Sequence, residues 1–172
     1  MERDDPVKKH RGLLILLAAV ILIAGACRAI WVATGEYPEP GEVIDAPVNE
    51  VPGLTLTLEE PGFSPFRGYT LRFAIAADTP EPYLLHQRPG ENFWLEARID
   101  GQWRRLVCAL NPDVYFDQED TLDGDTTGFQ ASLVQKYDGY GTRLHPGDYR
   151  LTVQVTDAEG VPHLLAAPFT LG

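Results

Sequence analysis

The chain of 172 residues predicts an all-β sandwich of about seven short antiparallel strands, preceded by an N-terminal apolar helix. Three observations carry this reading. Over residues 54–172 apolar and polar side chains alternate again and again, with no helical stripe of useful length. Gly, Pro, Asn and Asp punctuate that stretch at intervals of about ten residues, the spacing of turns in a sandwich. A single uninterrupted apolar run stands apart from it near the N-terminus.

Composition narrows the function classes. Hydrophobic residues make up 44% and aromatic residues 10% of the chain, too many for a disordered protein. Lys and Arg number 14 against 25 Asp and Glu, a net charge of -11, so the surface repels phosphate backbones and nucleic acid is excluded as a partner. Two cysteines cannot build a disulfide-dense scaffold.

The elements follow in chain order. Residues 1–12 form a basic cytoplasmic segment containing Lys8, Lys9, His10 and Arg11. Residues 13–33 form a transmembrane anchor or signal segment: nine of the eleven residues from Leu13 to Ile23 are Leu, Ile or Val. The 21 residues to Ala33 would rise about 31 Å as a helix, the thickness of a bilayer core. Arg28 lies five residues from the outer end, near enough for its guanidinium to reach the interface beside Trp31.

Two cleavage readings compete with the uncleaved anchor. Ala24-Gly25-Ala26 fits the small-x-small pattern of a signal peptidase site. Cys27 directly after it resembles the lipid-accepting cysteine of bacterial lipoproteins, although Ala24 stands where such signals usually carry Leu. All three place the remainder outside the cytoplasm. The charge asymmetry agrees, because the residues after Cys27 carry 10 basic and 22 acidic side chains.

Residues 34–53, with Pro38, Pro40, Pro47 and Pro52, read as an extended acidic linker that holds the body off the membrane. The β domain spans 54–172. Leu54, Leu56 and Leu58 alternate with Thr55, Thr57 and Glu59, and Leu71, Phe73, Ile75 and Ala77 repeat the pattern. Phe93, Leu95, Ala97 and Ile99 lead into Asp100-Gly101, the pair that a tight hairpin requires, and residues 102–110 return. Further strands are expected near Gly128–Gln135 and at Tyr149–Val155. A turn at Asp157–Gly160 then leads to a last strand ending near Leu171.

Two motifs sharpen the fold. Leu144-His145-Pro146-Gly147-Asp148-Tyr149 is similar to the tyrosine corner of immunoglobulin-like and fibronectin-like sandwiches, with Leu144, Pro146, Gly147 and Tyr149 as its structural residues. Upstream stands Gly101-Gln102-Trp103-Arg104-Arg105-Leu106. Together, in this order, they resemble a family of bacterial immunoglobulin-like domains in surface proteins and lipoproteins of Gram-positive bacteria. The resemblance covers most of Leu54–Leu171, with the acidic insert 111–128 outside it. It implies an immunoglobulin-like fold and a surface address, and it brings no catalytic residues.

The chemistry-bearing residues are few. Ser64 and Ser132 are the only serines, and neither lies in a nucleophile elbow. His86, His145 and His163 show no metal-ligand spacing, so no metal and no cofactor is expected. Asp113, Asp117, Glu119, Asp120, Asp123 and Asp125 crowd one loop, 113–125, that reads as a solvated connection, with calcium binding as the alternative. Trp94, on the face opposite Phe93 and Leu95, either covers the sheet or meets the linker, or, together with Tyr115, Phe116, Tyr137 and Tyr140, offers aromatic faces to a carbohydrate. Trp103 is expected in the core, and Cys108 is expected as a buried thiol.

The expectation is therefore a non-enzymatic, membrane-tethered module for binding or accessory interactions at a bacterial cell surface. Its partners would be the membrane itself, through the N-terminal segment, and a membrane protein or wall polymer. The competing reading is a carbohydrate-binding or calcium-stabilised module serving a separate enzyme.

Overall fold

Alternation of apolar and polar side chains sets most of the strands, because successive residues of a strand face opposite ways and one face can be buried. The computed structural model describes residues 6–33, 35–110, 118–124 and 128–172, with helix side chains described over 14–27. It is mostly β, with two antiparallel sheets and one helix. The chain divides into a helical unit ending at Gly35 and a β unit, Glu36–Gly172.

Helix α1 runs Pro6–Ala33. Its described side chains are apolar on every side, and Leu14, Ile15, Leu16, Leu17, Val20, Ile21, Leu22 and Ile23 are all exposed. Among the described residues no helix is long and apolar enough to cross a membrane. The described side chains of α1 form a run of 14 residues, Leu14–Cys27, shorter than the expected span 13–33.

The β unit contains β1 (Pro40–Val43), β2 (Leu54–Leu58), β3 (Gly62–Ser64), β4 (Gly68–Ala77), β5 (Tyr83–His86), β6 (Phe93–Ile99), β7 (Gln102–Leu106), β8 (Glu119–Leu122), β9 (Phe129–Val134), β10 (Gly147–Thr156) and β11 (Pro162–Leu171). One sheet has the order β1-β7-β6-β10-β5-β8, with β11 also paired to β10. In the other, β4 pairs with β2, β3 and β9. Leu56, Leu71, Phe73, Ile75 and Leu133 of the smaller sheet share one core with Leu85, Leu95, Leu151, Val153, Val155 and Leu165 of the larger. Phe73 meets Phe93 across it at 5.9 Å and Phe129 at 6.1 Å between ring centres.

The predicted hairpin forms with Ile99 opposite Gln102. Asp100 and Gly101 take φ 52° and 82°, the two left-handed positions that turn needs. The return strand ends at Leu106, short of the expected residue 110. The other predicted strands appear within a few residues of their expected limits. Four elements, β1, β3, β5 and β8, were not expected.

The linker expectation is overturned. Residues 36–53 belong to the β unit. Pro40 pairs with Leu106 and Val43 with Arg104, so β1 extends the larger sheet beyond β7. A proline is tolerated there because an edge strand has one unpaired side. Further along, the Asn49 side chain bonds both Ala166 O (2.9 Å) and Ala166 N (2.8 Å), and Val51 is buried in the core. An amide side chain carries the same donor and acceptor as a peptide group, so Asn49 supplies a one-residue strand substitute to β11. The prolines and acidic residues that suggested a free stalk line the outside of a folded strap.

Candidate functional site

Three places in the β unit gather polar or aromatic side chains, and each is built by the sheet register. The first is the outer face of the larger sheet. Cross-strand pairing sets Glu96 opposite both Arg105 and Arg150, and Trp94 opposite Thr152. Glu96 is fully buried. Its Oε2 accepts from Arg150 Nε at 2.7 Å and lies 2.6 Å from Arg150 Nη2, while Oε1 accepts from Thr152 Oγ1 at 2.7 Å and Trp94 Nε1 at 2.8 Å. A buried carboxylate needs several donors to replace water, and here three donate to it within a salt bridge to Arg150.

Two guanidinium–indole stacks close over that carboxylate. Arg150 lies 4.7 Å from the centre of the Trp103 ring, and Arg105 lies 4.2 Å from that of Trp94. Arg105 also donates to Gly90 O and faces Glu42 of β1 at 3.5 Å. Trp94 consequently retains only 3% exposure, so of its two readings it follows the one in which it covers the sheet, and it offers no open face to a sugar. Trp103, expected in the core, is half-buried on this outer face. The alternation placed Trp94 correctly on the face opposite Phe93; outward in the strand did not mean open to solvent, because Arg105 covers it.

The second place is the turn that leads into β10. Tyr149 Oη donates to His145 O at 2.7 Å, the tie expected of Leu144, Pro146, Gly147 and Tyr149. Burial pushes the Tyr149 phenol above its usual pKa. Tyr37 stacks on His145 with ring centres 3.9 Å apart and planes within 4°. Tyr37, Pro38, Pro40, Ile99, Leu144 and Tyr149 are among the residues lining a pocket of about 180 Å³ there. Next to it the β9–β10 connection is locked by Gln135, a buried amide that accepts from Tyr69 N (3.0 Å) and donates to Tyr140 O (3.1 Å). Gly68, at φ 73°, has no room for a Cβ, which would stand 2.3 Å from Gln135 Oε1.

The third is a shallow depression of about 460 Å³ on the outer face of the smaller sheet, lined by Thr57, Glu59, Arg72, Ala74, Gln130 and Ser132. Glu59 and Arg72 make an exposed pair at 3.7 Å.

The remaining sequence candidates disperse. His86 faces Glu119 at 3.7 Å, and His163 Nε2 is 2.8 Å from Asp157 Oδ2. The His163 contact, with backbone donors from Val161 and Glu159, holds Asp157 below the usual carboxylate range. Cys108 is half-buried, its thiol directed at Asp138 O (3.3 Å), and burial pushes its pKa up. Cys27 is exposed on α1. Tyr140 is fully buried, which removes it from the carbohydrate reading, whereas Tyr137 is exposed.

Tyr115, Phe116, Asp113, Asp117 and Asp125 lie outside the described residues. Of the acidic loop, Glu119 and Asp120 sit in β8, where neighbouring residues face opposite ways; Asp120 accepts from Gln87 Nε2. Among the described residues no group of three or more His, Cys, Asp or Glu could hold a metal ion. What the sequence reasoning missed was the Glu96–Arg150–Thr152–Trp94 cluster, whose members are as far as 58 residues apart and meet only through the β6–β10 register.

Compared with known proteins, the chain matches no family model, and no curated protein is significantly similar to it.

Proposed function

We propose that this protein is a membrane-tethered immunoglobulin-like module that serves binding or accessory interactions, without catalysis, at a bacterial cell surface. The observation that carries the reading is α1. Its described side chains, Leu14–Cys27, are apolar all round, which neither a water-facing helix nor an amphipathic one would show, and Lys8, Lys9 and Arg11 precede them. The sequence extends that apolar character from Leu13 towards Ala33, enough for a span, and the positive-inside rule directs the β unit outward.

The immunoglobulin-like part of the reading is supported by connectivity. β2, β4 and β9 neighbour one another in one sheet and β7, β6, β10 and β11 in the other, joined by β6–β7 and β10–β11 hairpins. The Tyr149–His145 tie at the start of β10 is the corner bond of such sandwiches. An uncleaved anchor is favoured over cleavage after Ala26 because the 21 residues from Leu13 to Ala33 are long enough for a span, and lipidation at Cys27 is disfavoured by Ala24, where such signals usually carry Leu.

Protease treatment of intact cells expressing the full chain tests this reading. The β unit is expected to be digested from outside while a helical stub stays in the membrane fraction. Full protection in intact cells, with digestion only after lysis, would overturn it.

A further inference from the structure

The folding of residues 36–53 into the β unit leaves only Thr34 and Gly35 between the last helical residue, Ala33, and the first residue of that unit, Glu36.

The surface near Glu36 is traceable through hydrogen bonds. Glu36 O accepts from Thr142 N (2.9 Å) and Arg143 N (3.1 Å), which fastens the chain's entry point to the β9–β10 connection. That connection also carries Lys136 and Tyr137. Lys136 N donates to Arg67 O at 3.1 Å, and the Arg67 guanidinium lies 5.9 Å from the Tyr137 ring centre. Arg67 follows Phe66 at the tip between β3 and β4, and Phe63 is in β3 beside it.

This edge is unlike the rest of the unit. Among the described residues of the β unit, the large hydrophobic side chains most open to solvent are Phe66 at 76%, Phe63 at 61% and Tyr137 at 55%. Isolated exposed apolar residues need no explanation, but three aromatic rings on one edge do. The charge is equally out of character: the residues after Cys27 carry 22 acidic side chains, yet Arg67 and Lys136, the only lysine beyond the helix, flank these rings. The carboxylate of this turn, Asp138, accepts from Val134 N. Aromatic rings beside cations suit the boundary between acyl chains and anionic headgroups, where the rings bury area and the cations meet phosphate.

We propose that the edge formed by Phe63, Phe66, Arg67, Lys136 and Tyr137 docks onto the anionic headgroup layer of the same membrane that holds α1. The rings of this edge bury area among the headgroups while Arg67 and Lys136 meet phosphate. This inference rests on the membrane-tether reading.

The test is hydrogen exchange on the full chain, one copy per nanodisc, in discs rich in phosphatidylglycerol, in pure phosphatidylcholine discs and in detergent micelles. Amides of 62–68 and 135–138 are expected to exchange about fivefold slower in the anionic discs than in micelles, with the effect reduced by high salt and by Phe66→Ser or Lys136→Glu. Both substitutions are at exposed sites, and an unchanged Trp94 and Trp103 near-ultraviolet spectrum reports that the fold is kept. Unchanged exchange at this edge, or equal protection in phosphatidylcholine discs, with α1 protected, overturns the docking and leaves the tether. Failure of the chain to stay with any disc overturns the tether itself. One copy per disc excludes a second molecule as the source of protection.

Discussion

Removing the Glu96 carboxylate would leave the Arg150 guanidinium, 2.6 Å away and nearly buried, without its counter-charge, and Trp94 Nε1 and Thr152 Oγ1 without their acceptor. Breaking a buried pair by deleting one partner costs about 3–5 kcal/mol, so Glu96→Ala is expected to lower unfolding stability by that amount in urea titrations. Tyr149→Phe removes only the bond to His145 O and is expected to cost about 1 kcal/mol. Because burial raises the Tyr149 pKa, that phenol's contribution is complete below its ordinary value of 10.0 and is lost as pH rises through the higher folded value. The alkaline limb of the stability curve should therefore flatten in Tyr149→Phe. Asp157 behaves in the opposite sense. Its folded pKa is depressed below 3.8, so its contribution is present above 3.8 and lost as pH falls through the lower folded value. Asp157→Asn should make acid unfolding less steep in that range, and an unaltered acid limb would count against the His163 contact.

At the scale of the element, the strap of residues 36–53 covers the edge of β7 with β1 and the edge of β11 with Asn49. Exposed edges invite pairing with other chains, and the strap replaces the β7 edge with a four-residue strand that begins with a proline, a poorer template for such pairing. Asn49→Gly deletes both side-chain bonds while tolerating the positive φ of 60°, and is expected to cost about 1–3 kcal/mol, read as a lower urea midpoint with an unchanged slope. The strap was the least legible element in the sequence, since Pro38, Pro40, Pro47 and Pro52 mark a segment that forms few local hydrogen bonds and bonds to distant strands instead. β5 and β8 were hidden for a related reason: Pro80 and Pro82 immediately precede a short strand, and Glu119 and Asp120 have little strand preference of their own. By contrast, Leu54–Leu58, Phe93–Ile99 and Tyr149–Val155 were legible because their core-facing positions are apolar and alternate with mostly polar ones, even though in β6 and β10 the polar face is buried as well. The bond from Tyr149 Oη to His145 O joins residues only four apart, so the segment that makes it could be picked out locally. The Glu96 cluster was not, because nothing local specifies which strand lies beside β6.

At the scale of the whole molecule, a helical unit ending at Gly35 precedes one β unit that begins at Glu36, and the proposed function makes the helix a membrane tether. The outer face of the larger sheet is closed by its own salt bridge and stacked guanidinium groups, so partners are expected to engage elsewhere: the pocket at the turn into β10, the depression around Arg72 and Gln130, or the aromatic edge. Intact mass on protein recovered from carbonate-washed membranes of an expressing Gram-positive host tests the central claim most directly. The account predicts a chain beginning at Met1, with Cys27 unmodified. Recovery only as a soluble β fragment lacking the apolar run would contradict it.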